Sequence, residues 1–261
     1  MSARSVFADL LAAYRKEAGW TQAEAAQRFT MSSSLYQKIE LCDRKPQRDM
    51  AVRGDELFGT PNVFARVYKD IVTEPHPDWF GPCVEYEDQA TAITIWEQRG
   101  IPGLVQTEAY ARTVVRAGRP YDPPEAVELV VRSRVERQDI LARDRPPKLW
   151  MVIDEGALRH LVGGQEVMAE QLDHLMAVSD SSRAVIQVYP FSAVDAPGVN
   201  GPATLFEFED QQPVAYLEGW EAGRIVEDPP AIADITAALN MIKGCALSPR
   251  DSRQLIAEIR G

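Results

Sequence analysis

The sequence predicts two domains of different class: an all-α head over residues 1–72 and an α+β body with a mixed sheet over 83–261, joined by a linker at 73–82. Three observations carry this reading. In the first seventy residues apolar side chains recur at helical spacing and no alternating run occurs. The stretch "TEPHPDWFGP", with Pro75, Pro77 and Pro82, then breaks the helical pattern. Beyond it, five β-branched and aromatic runs are interleaved with amphipathic helical segments.

In the head, Phe7, Leu10, Leu11 and Tyr14 form the apolar face of a first helix over 5–18, which Gly19 closes. Thr21 is an N-cap, and Glu24 three residues on completes a capping box. Ala25, Ala26 and Phe29 face inward from the second helix, and the small alanines admit a close neighbour. Ser32 caps a third helix whose buried side is Leu35 and Ile39. After the basic turn "LCDRKPQR", a fourth helix runs over 47–58 with Met50, Leu57 and Phe58 inward, and Gly59 ends it; "NVFARVYKDIV" is a fifth.

In the body, strands are predicted at 91–98, 147–154, 183–191, 203–210 and 213–220. Helices fall at 107–118, capped by Thr107, at 123–143 and at 164–180. The helix at 164–180 joins two strands in a βαβ unit, so the strands at 148–154 and 184–190 should be parallel. "EDQQP" is of hairpin length, which makes the next pair antiparallel and the sheet mixed. Helices at 229–243 and 248–260 finish the chain, the second opening on Ser248-Pro249, an N-cap followed by proline at the first helical position.

Charge is divided unevenly. Residues 1–70 hold 11 Lys and Arg against 9 Asp and Glu, a net +2, while residues 71–261 hold 17 against 30, a net −13. Any contact with a polyanion must therefore come from the head, and the acidic body calls for other partners. No apolar run approaches the ~20 residues of a membrane helix, and the first residues lack a secretory pattern, so a cytoplasmic protein without membrane contact is expected. Cys42, Cys83 and Cys245 are far apart and show no CxxC pair, which argues against a disulfide framework and a zinc site.

"TQAEAAQRFTMSSSLYQKIE", Thr21 to Glu40, has the spacing of helix, tight turn, helix. In that arrangement the first helix crosses the phosphate backbone of double-stranded DNA and the second lies in the major groove. Thr21 and Gln22 then stand at a helix N-terminus that favours a phosphate. On the third helix, capped by Ser32, the outward positions are Ser33, Ser34, Tyr36, Gln37 and Lys38. Gln37 can pair with adenine, the serines can donate or accept, and Tyr36 can rest on a thymine methyl or reach a phosphate. Lys38, Arg44, Lys45 and Arg48 form the dense basic patch that sets position and affinity. Three serines imply modest direct readout, with DNA shape and dimer spacing supplying more.

Residues 7–58 resemble the Xre (lambda-repressor-like) helix-turn-helix family, whose pattern Thr21, Gln22, Ala26, Ser32, Ile39 and Glu40 match. Thr30 and Cys42 stand where that family commonly has glycine, so both are expected at positive φ, with Thr30 a site of local strain. The rest is similar to the large C-terminal domain of a group of actinobacterial Xre regulators, through "WFGPCVEYEDQATAITIWEQRGIPGLVQTEAYAR", "LWMVIDEGALRHLVGG", "VIQVYPFSA" and "ALSPRDSRQLIAEI". The resemblance implies an antitoxin-like transcriptional regulator, commonly encoded beside a small partner protein. A homodimer on a roughly palindromic operator follows from the half-site logic of such heads. The alternative is a protein-binding module that sequesters a small basic partner encoded nearby.

Catalytic, metal or cofactor chemistry is not expected. Asp154-Glu155, where a strand meets a helix, reads as an N-cap and a first-turn acid. His76, His160 and His174 are scattered, and "APGVNGPA" lacks the Lys-Ser/Thr of a phosphate cradle. Trp79, Phe80, Trp96, Trp150, Tyr189, Phe191, Phe206, Phe208 and Trp220 are read mostly as core, with a pocket for an apolar small molecule or a partner's docking surface as the other reading, rimmed by "RGIPGLVQT".

Overall fold

The computed structural model of the protein describes residues 3–73, 80–180, 184–193, 201–219 and 223–261. The chain forms two compact units, Met1–Asp78 and Trp79–Gly261. Most of the expected linker (74–79, with His76 and Trp79), Trp220, and residues 196–200 of the glycine-bearing loop lie outside the described residues.

The head consists of α1 (Ala3–Glu17), α2 (Gln22–Arg28), α3 (Ser33–Glu40), α4 (Arg48–Phe58) and α5 (Val63–Thr73). Phe7, Leu11, Ala25, Ala26, Phe29, Ile39, Met50 and Phe64 are buried together. Phe58 ties the helices into one aromatic cluster, its ring 5.5 Å from Tyr14, 5.4 Å from Trp20, 5.9 Å from Phe29 and 5.7 Å from Phe64. Gly54 lets α5 approach α4: a Cβ there would stand 3.1 Å from the Phe64 ring. Asp55 then accepts from the Phe64 and Ala65 amides at 3.0 and 2.9 Å and from the Thr60 hydroxyl at 2.6 Å, capping α5 from the preceding helix.

Three helices end in the same way. At α1, α2 and α3 the chain turns left-handed at Gly19 (φ 71°), Thr30 (φ 57°) and Cys42 (φ 66°). The next residue's amide reaches back to the helix: Trp20 to Arg15, Met31 to Ala26 and Asp43 to Lys38. These are the paired bonds of a Schellman stop, which glycine enters without Cβ cost and threonine does not. The positive φ expected at Thr30 and Cys42 is present at both.

The body opens with α6 (Gly81–Gln89), which the sequence reading missed, placing Gly81 and Pro82 in the linker instead. Proline in the first turn lacks only an amide that would have no helical partner, so the residues read as breakers begin the helix. Next come β1 (Ala92–Glu97), α7 (Glu108–Gly118), α8 (Pro124–Glu136), β2 (Lys148–Asp154), α9 (Glu155–Arg159) and α10 (Gln165–Ser179). After α8 the chain tightens into a 3₁₀ turn over Arg137–Ala142, so the single helix expected over 123–143 is two. The chain finishes with β3 (Ala184–Tyr189), β4 (Ala203–Glu207), β5 (Val214–Leu217), β6 (Arg224–Val226), α11 (Pro229–Cys245) and α12 (Pro249–Arg260).

The six strands form one mixed sheet in the order β3-β2-β1-β4-β5-β6. β2 and β3 are parallel, as the βαβ spacing requires, and β1 is parallel to β2. β4, β5 and β6 run alternately against their neighbours. On one face Ile93, Ile95, Leu149, Met151, Ile153 and Ile186 pack with residues of α6, α9, α10 and α12. On the other, Trp96, Val152, Leu205 and Ala215 meet Ile232, Leu239 and Ile242 of α11. The sheet is thus a middle layer between helices, which is why its strands are apolar on both faces. Two of the aromatics assigned to the core are not there: Phe191 is 65% and Trp150 37% exposed. Trp150 is held at the rim, its indole nitrogen donating to Gln187 at 2.8 Å and the Lys243 ammonium 4.7 Å from its ring.

Candidate DNA-binding interface

The capping box at the start of α2 is complete. The Thr21 hydroxyl accepts from the Glu24 amide at 3.2 Å, and the Glu24 carboxylate accepts from the Thr21 amide at 2.8 Å and hydroxyl at 2.9 Å. These bonds hold the exposed Glu24 carboxyl below the usual carboxylate range. They also occupy the Thr21 side chain, whose place is that of a helix starter. Ser32 accepts from the Leu35 amide at 3.2 Å and starts α3 in the same manner.

One carboxylate fixes the geometry of the motif. Glu40, at the end of α3, accepts two bonds from the Arg15 guanidinium of α1, at 2.8 and 2.6 Å, and one from the Gln22 amide of α2 at 3.3 Å. Arg15 also donates to the Trp20 carbonyl at 2.9 Å, across the turn between α1 and α2. Burial pushes the Glu40 carboxyl up, but the bonds from Arg15 and Gln22 outweigh it, and the group lies below its ordinary value. The Glu40 hydrogen bond in turn raises Arg15. The pair is an ion bridge shielded from water, made by a two-pronged donor that suits a carboxylate. Gln22, assigned to the phosphate backbone from sequence, is thus half-buried and spends part of its amide on this bridge.

Sequence reading missed the Arg15–Glu40 bridge, and a signal for it was present. An acid on a helix presented to phosphates repels them unless the fold neutralises it, so Glu40 called for a cation from a neighbouring helix. Arg15, in the last turn of α1, supplies it.

Tyr36 is a correction. Expected on the outer face of α3, it is wholly buried, with its ring 5.5 Å from Phe29. The reason is helical geometry: Tyr36 lies three residues before Ile39 and Leu35 four before it, so both flank the buried stripe. The aromatic ring takes the deeper position, and Leu35 is half-buried at the edge. Burial pushes the Tyr36 phenol well above its usual range, with Glu40 adding to the effect.

What remains outward on α3 is Ser33, Ser34, Gln37 and Lys38, all exposed. Arg44, Lys45 and Arg48, in the following turn and the first residue of α4, are exposed as well. Arg4 of α1 braces that turn by donating to the Cys42 carbonyl at its left-handed residue. Arg28 is drawn aside, its guanidinium 4.4 Å from the centre of the Trp20 ring. The head therefore offers a short helix with small and amide side chains outward, flanked by four cations and with its own acid neutralised from behind.

Comparison with protein families agrees with this geometry. A helix-turn-helix domain model matches residues 6–63, so the head is a DNA-binding domain of that kind. Residues 80–258 match the model described as "Domain of unknown function (DUF5753)". The chain belongs to the DUF5753 family. Neither the curated proteins nor the solved structures return a match. The DUF5753 unit corresponds to the acidic body and its mixed sheet. In it, Asp154 accepts from the Gly156 amide at 2.7 Å and so starts α9, while the buried Glu155 accepts from the Phe191 amide at 2.8 Å and from Arg159 at 2.7 Å. No single helix among the described residues is long and apolar enough to cross a membrane.

Proposed function

We propose that this DUF5753 protein is a sequence-specific transcriptional regulator of the Xre, antitoxin-like kind, acting in the cytoplasm and without catalytic activity. Two heads bind the half-sites of a roughly palindromic operator about one helical turn apart, and the body dimerises and receives a signal. The observation that carries the reading is the outer face of α3. Ser33, Ser34 and Gln37 are free to meet base edges, Lys38, Arg44, Lys45 and Arg48 are free to meet phosphates, and Glu40 is neutralised by Arg15. Gln37 is the base reader, able to pair with adenine; the cations set register and affinity. Thr21, Gln22 and Ser32 shape the two helix starts and bring amides near the backbone.

Binding of the full chain to its own upstream DNA, followed by fluorescence anisotropy across a salt series, tests this. Affinity should fall steeply as salt rises, because bound cations displace counterions. Replacing Arg44 and Lys45 by alanine should weaken all sequences alike and flatten the salt dependence. Gln37→Ala should cost roughly 1–3 kcal/mol on the operator and little elsewhere. Equal loss on every sequence would remove Gln37 as the reader, and a strict monomer by light scattering would remove the two-headed operator.

The net charge of −13 over residues 71–261 favours a second reading, in which the body sequesters a small basic partner encoded nearby and DNA binding tunes expression of the pair. Co-expression with the product of a short neighbouring reading frame, followed by calorimetry, separates the two. Absence of heat on mixing would eliminate the sequestering role.

A further inference from the structure

α11 breaks the pattern that other surface helices of the body keep. A helix with one side on a sheet normally shows charge to water on the other. α10 does so with Glu166, Glu170 and Asp173, and α12 with Arg250, Asp251, Arg253 and Glu258, all exposed. Of the 17 residues of α11 only Asp234 and Lys243 are charged. Lys243 is turned inward, its ammonium donating to the Thr94 hydroxyl at 3.2 Å and lying 4.7 Å from the centre of the Trp150 ring. Ile232, Leu239 and Ile242 are spent on the sheet. What faces water is Ala233, Asp234, Ala237, Asn240, Met241 and Gly244, and Met241 is 59% exposed. The sheet face under α11 is itself half open, for Trp150, which alternation places on the same side as Val152, is 37% exposed.

The chemistry of this outer face is self-complementary. When a second copy of α11 runs antiparallel over the first, with the two Ala237 residues at the crossing, each position meets the one equally far on the other side of Ala237. Met241 then falls on Ala233 of the second copy, Asp234 on Asn240, and Pro230 on Gly244. Helical spacing alone guarantees that positions match, but not what fills them. Here the large side chain meets a small one, the carboxylate meets an amide donor, and nowhere does acid meet acid. Alanine at the crossing lets the two axes approach to the short end of the ~8–10 Å range of packed helices.

Charge selects the second copy as occupant. Residues 79–261 carry 17 Lys and Arg against 28 Asp and Glu, a net −11, so two bodies repel each other over most of their surface. They meet at least cost where that charge is missing, and α11 is such a face. A basic partner would instead seek the acids that α11 lacks. We propose that the body dimerises through α11, packed antiparallel on α11 of a second copy about a twofold axis at Ala237. The stripe from Pro230 to Gly244 is ~21 Å long. That is too little by itself for the ~800 Å² per copy that a standard interface buries, so the contact spreads onto the half-open sheet beside the helix, where Trp150 stands. The inference rests on the dimeric regulator proposed above and names its surface, the one that joins two heads in a single particle for two half-sites.

Sedimentation equilibrium of the full chain without DNA tests this, and wild type should show a reversible dimer. Ala237→Glu sets two acids against each other at the axis and should weaken association roughly hundredfold, with the circular dichroism of the folded chain unchanged. Asn240→Asp opposes an acid to Asp234 at two symmetric places and should weaken it roughly fivefold. Asp234→Asn combined with Asn240→Asp exchanges the two partners and should restore wild-type association. That rescue belongs to the antiparallel register centred on Ala237, since a parallel pair would set 234 against 234. Ala237→Cys gives a readout that does not depend on loss: it should close a disulfide between copies under mild oxidation, while wild type and Ala257→Cys on α12 stay uncrosslinked. A dimer indifferent to Ala237→Glu, a double exchange that fails to restore it, or no cross-link through Ala237→Cys would each overturn the surface and leave the dimeric regulator standing. A wild-type chain that stays monomeric overturns both. If that monomer binds the product of the short neighbouring reading frame and Ala237→Glu abolishes the binding, α11 belongs to that partner and not to a second copy.

Discussion

At the scale of single residues, the head stores strain where two helices stop. Thr30 and Cys42 hold positive φ, and for a β-branched residue that conformation is among the least favourable. Left-handed backbone costs an L-residue about 1–2 kcal/mol, while glycine returns part of that through its freedom in the unfolded chain. Thr30→Gly should therefore stabilise the head by about 0.5–1 kcal/mol in urea denaturation; clear destabilisation would mean that the threonine makes compensating contacts. Arg15→Ala should act the other way. It strands the Glu40 carboxylate against the core, and breaking a buried pair from one side costs roughly 3–5 kcal/mol; a loss within 1 kcal/mol, at the low value of an exposed pair, would mean water reaches the bridge. The Thr30 strain was legible because it follows from local backbone geometry and a residue's branching. The Arg15–Glu40 bridge joins residues far apart in sequence, and Tyr36 competes with an apolar neighbour for the same stripe, so tertiary packing decided both.

Among elements, the helix starts are written locally and the sequence declares them. Thr21, Ser32, Thr107, Asp154 and Ser248 all cap as their types suggest, each accepting from an amide two or three residues on. α6 and β6 were invisible for different reasons: α6 begins with residues that usually break helices, and β6 has three residues, too few for alternation to register. β6 exists because β5 offers it an edge to pair with. The caps yield a prediction about α3. Ser32→Ala should cost about 1 kcal/mol of stability and weaken operator binding, since it loosens the helix that carries Gln37. Ser33→Ala and Ser34→Ala should leave stability within about 0.5 kcal/mol, their side chains being exposed and outside the cap. Unfolding curves of the three variants decide whether the serine run is one cap with two contacts or three interchangeable surface positions.

For the whole molecule, the two units respond to pH in opposite senses. In the body, burial raises the carboxyls of Glu87, Glu97 and Glu218. A raised acid favours folding while protonated, so its contribution is present below the unfolded value of ~4.3 and is lost as pH climbs through the raised value. His174 opposes them, because burial lowers it and its protonation below about 6.5 favours the unfolded chain. In the head, Glu40 and Asp55 are lowered: burial raises each, but hydrogen bonds from Arg15 and Gln22 to the first, and from Thr60 and the α5 amides to the second, prevail. Their contribution is complete at neutral pH and is lost only as pH falls below the ordinary carboxylate range. Calorimetry from pH 8 to 5 should thus show the body's transition rising relative to the head's, helped by the fading self-repulsion of the net −11 charge on residues 79–261 (17 Lys and Arg against 28 Asp and Glu). Below that range the head's transition should fall first. Glu97→Gln, which fixes the neutral form, should flatten the body's slope above pH 5 and leave the head's untouched. Parallel movement of both transitions would mean that Glu87 and Glu97 are ionised within the fold without cost.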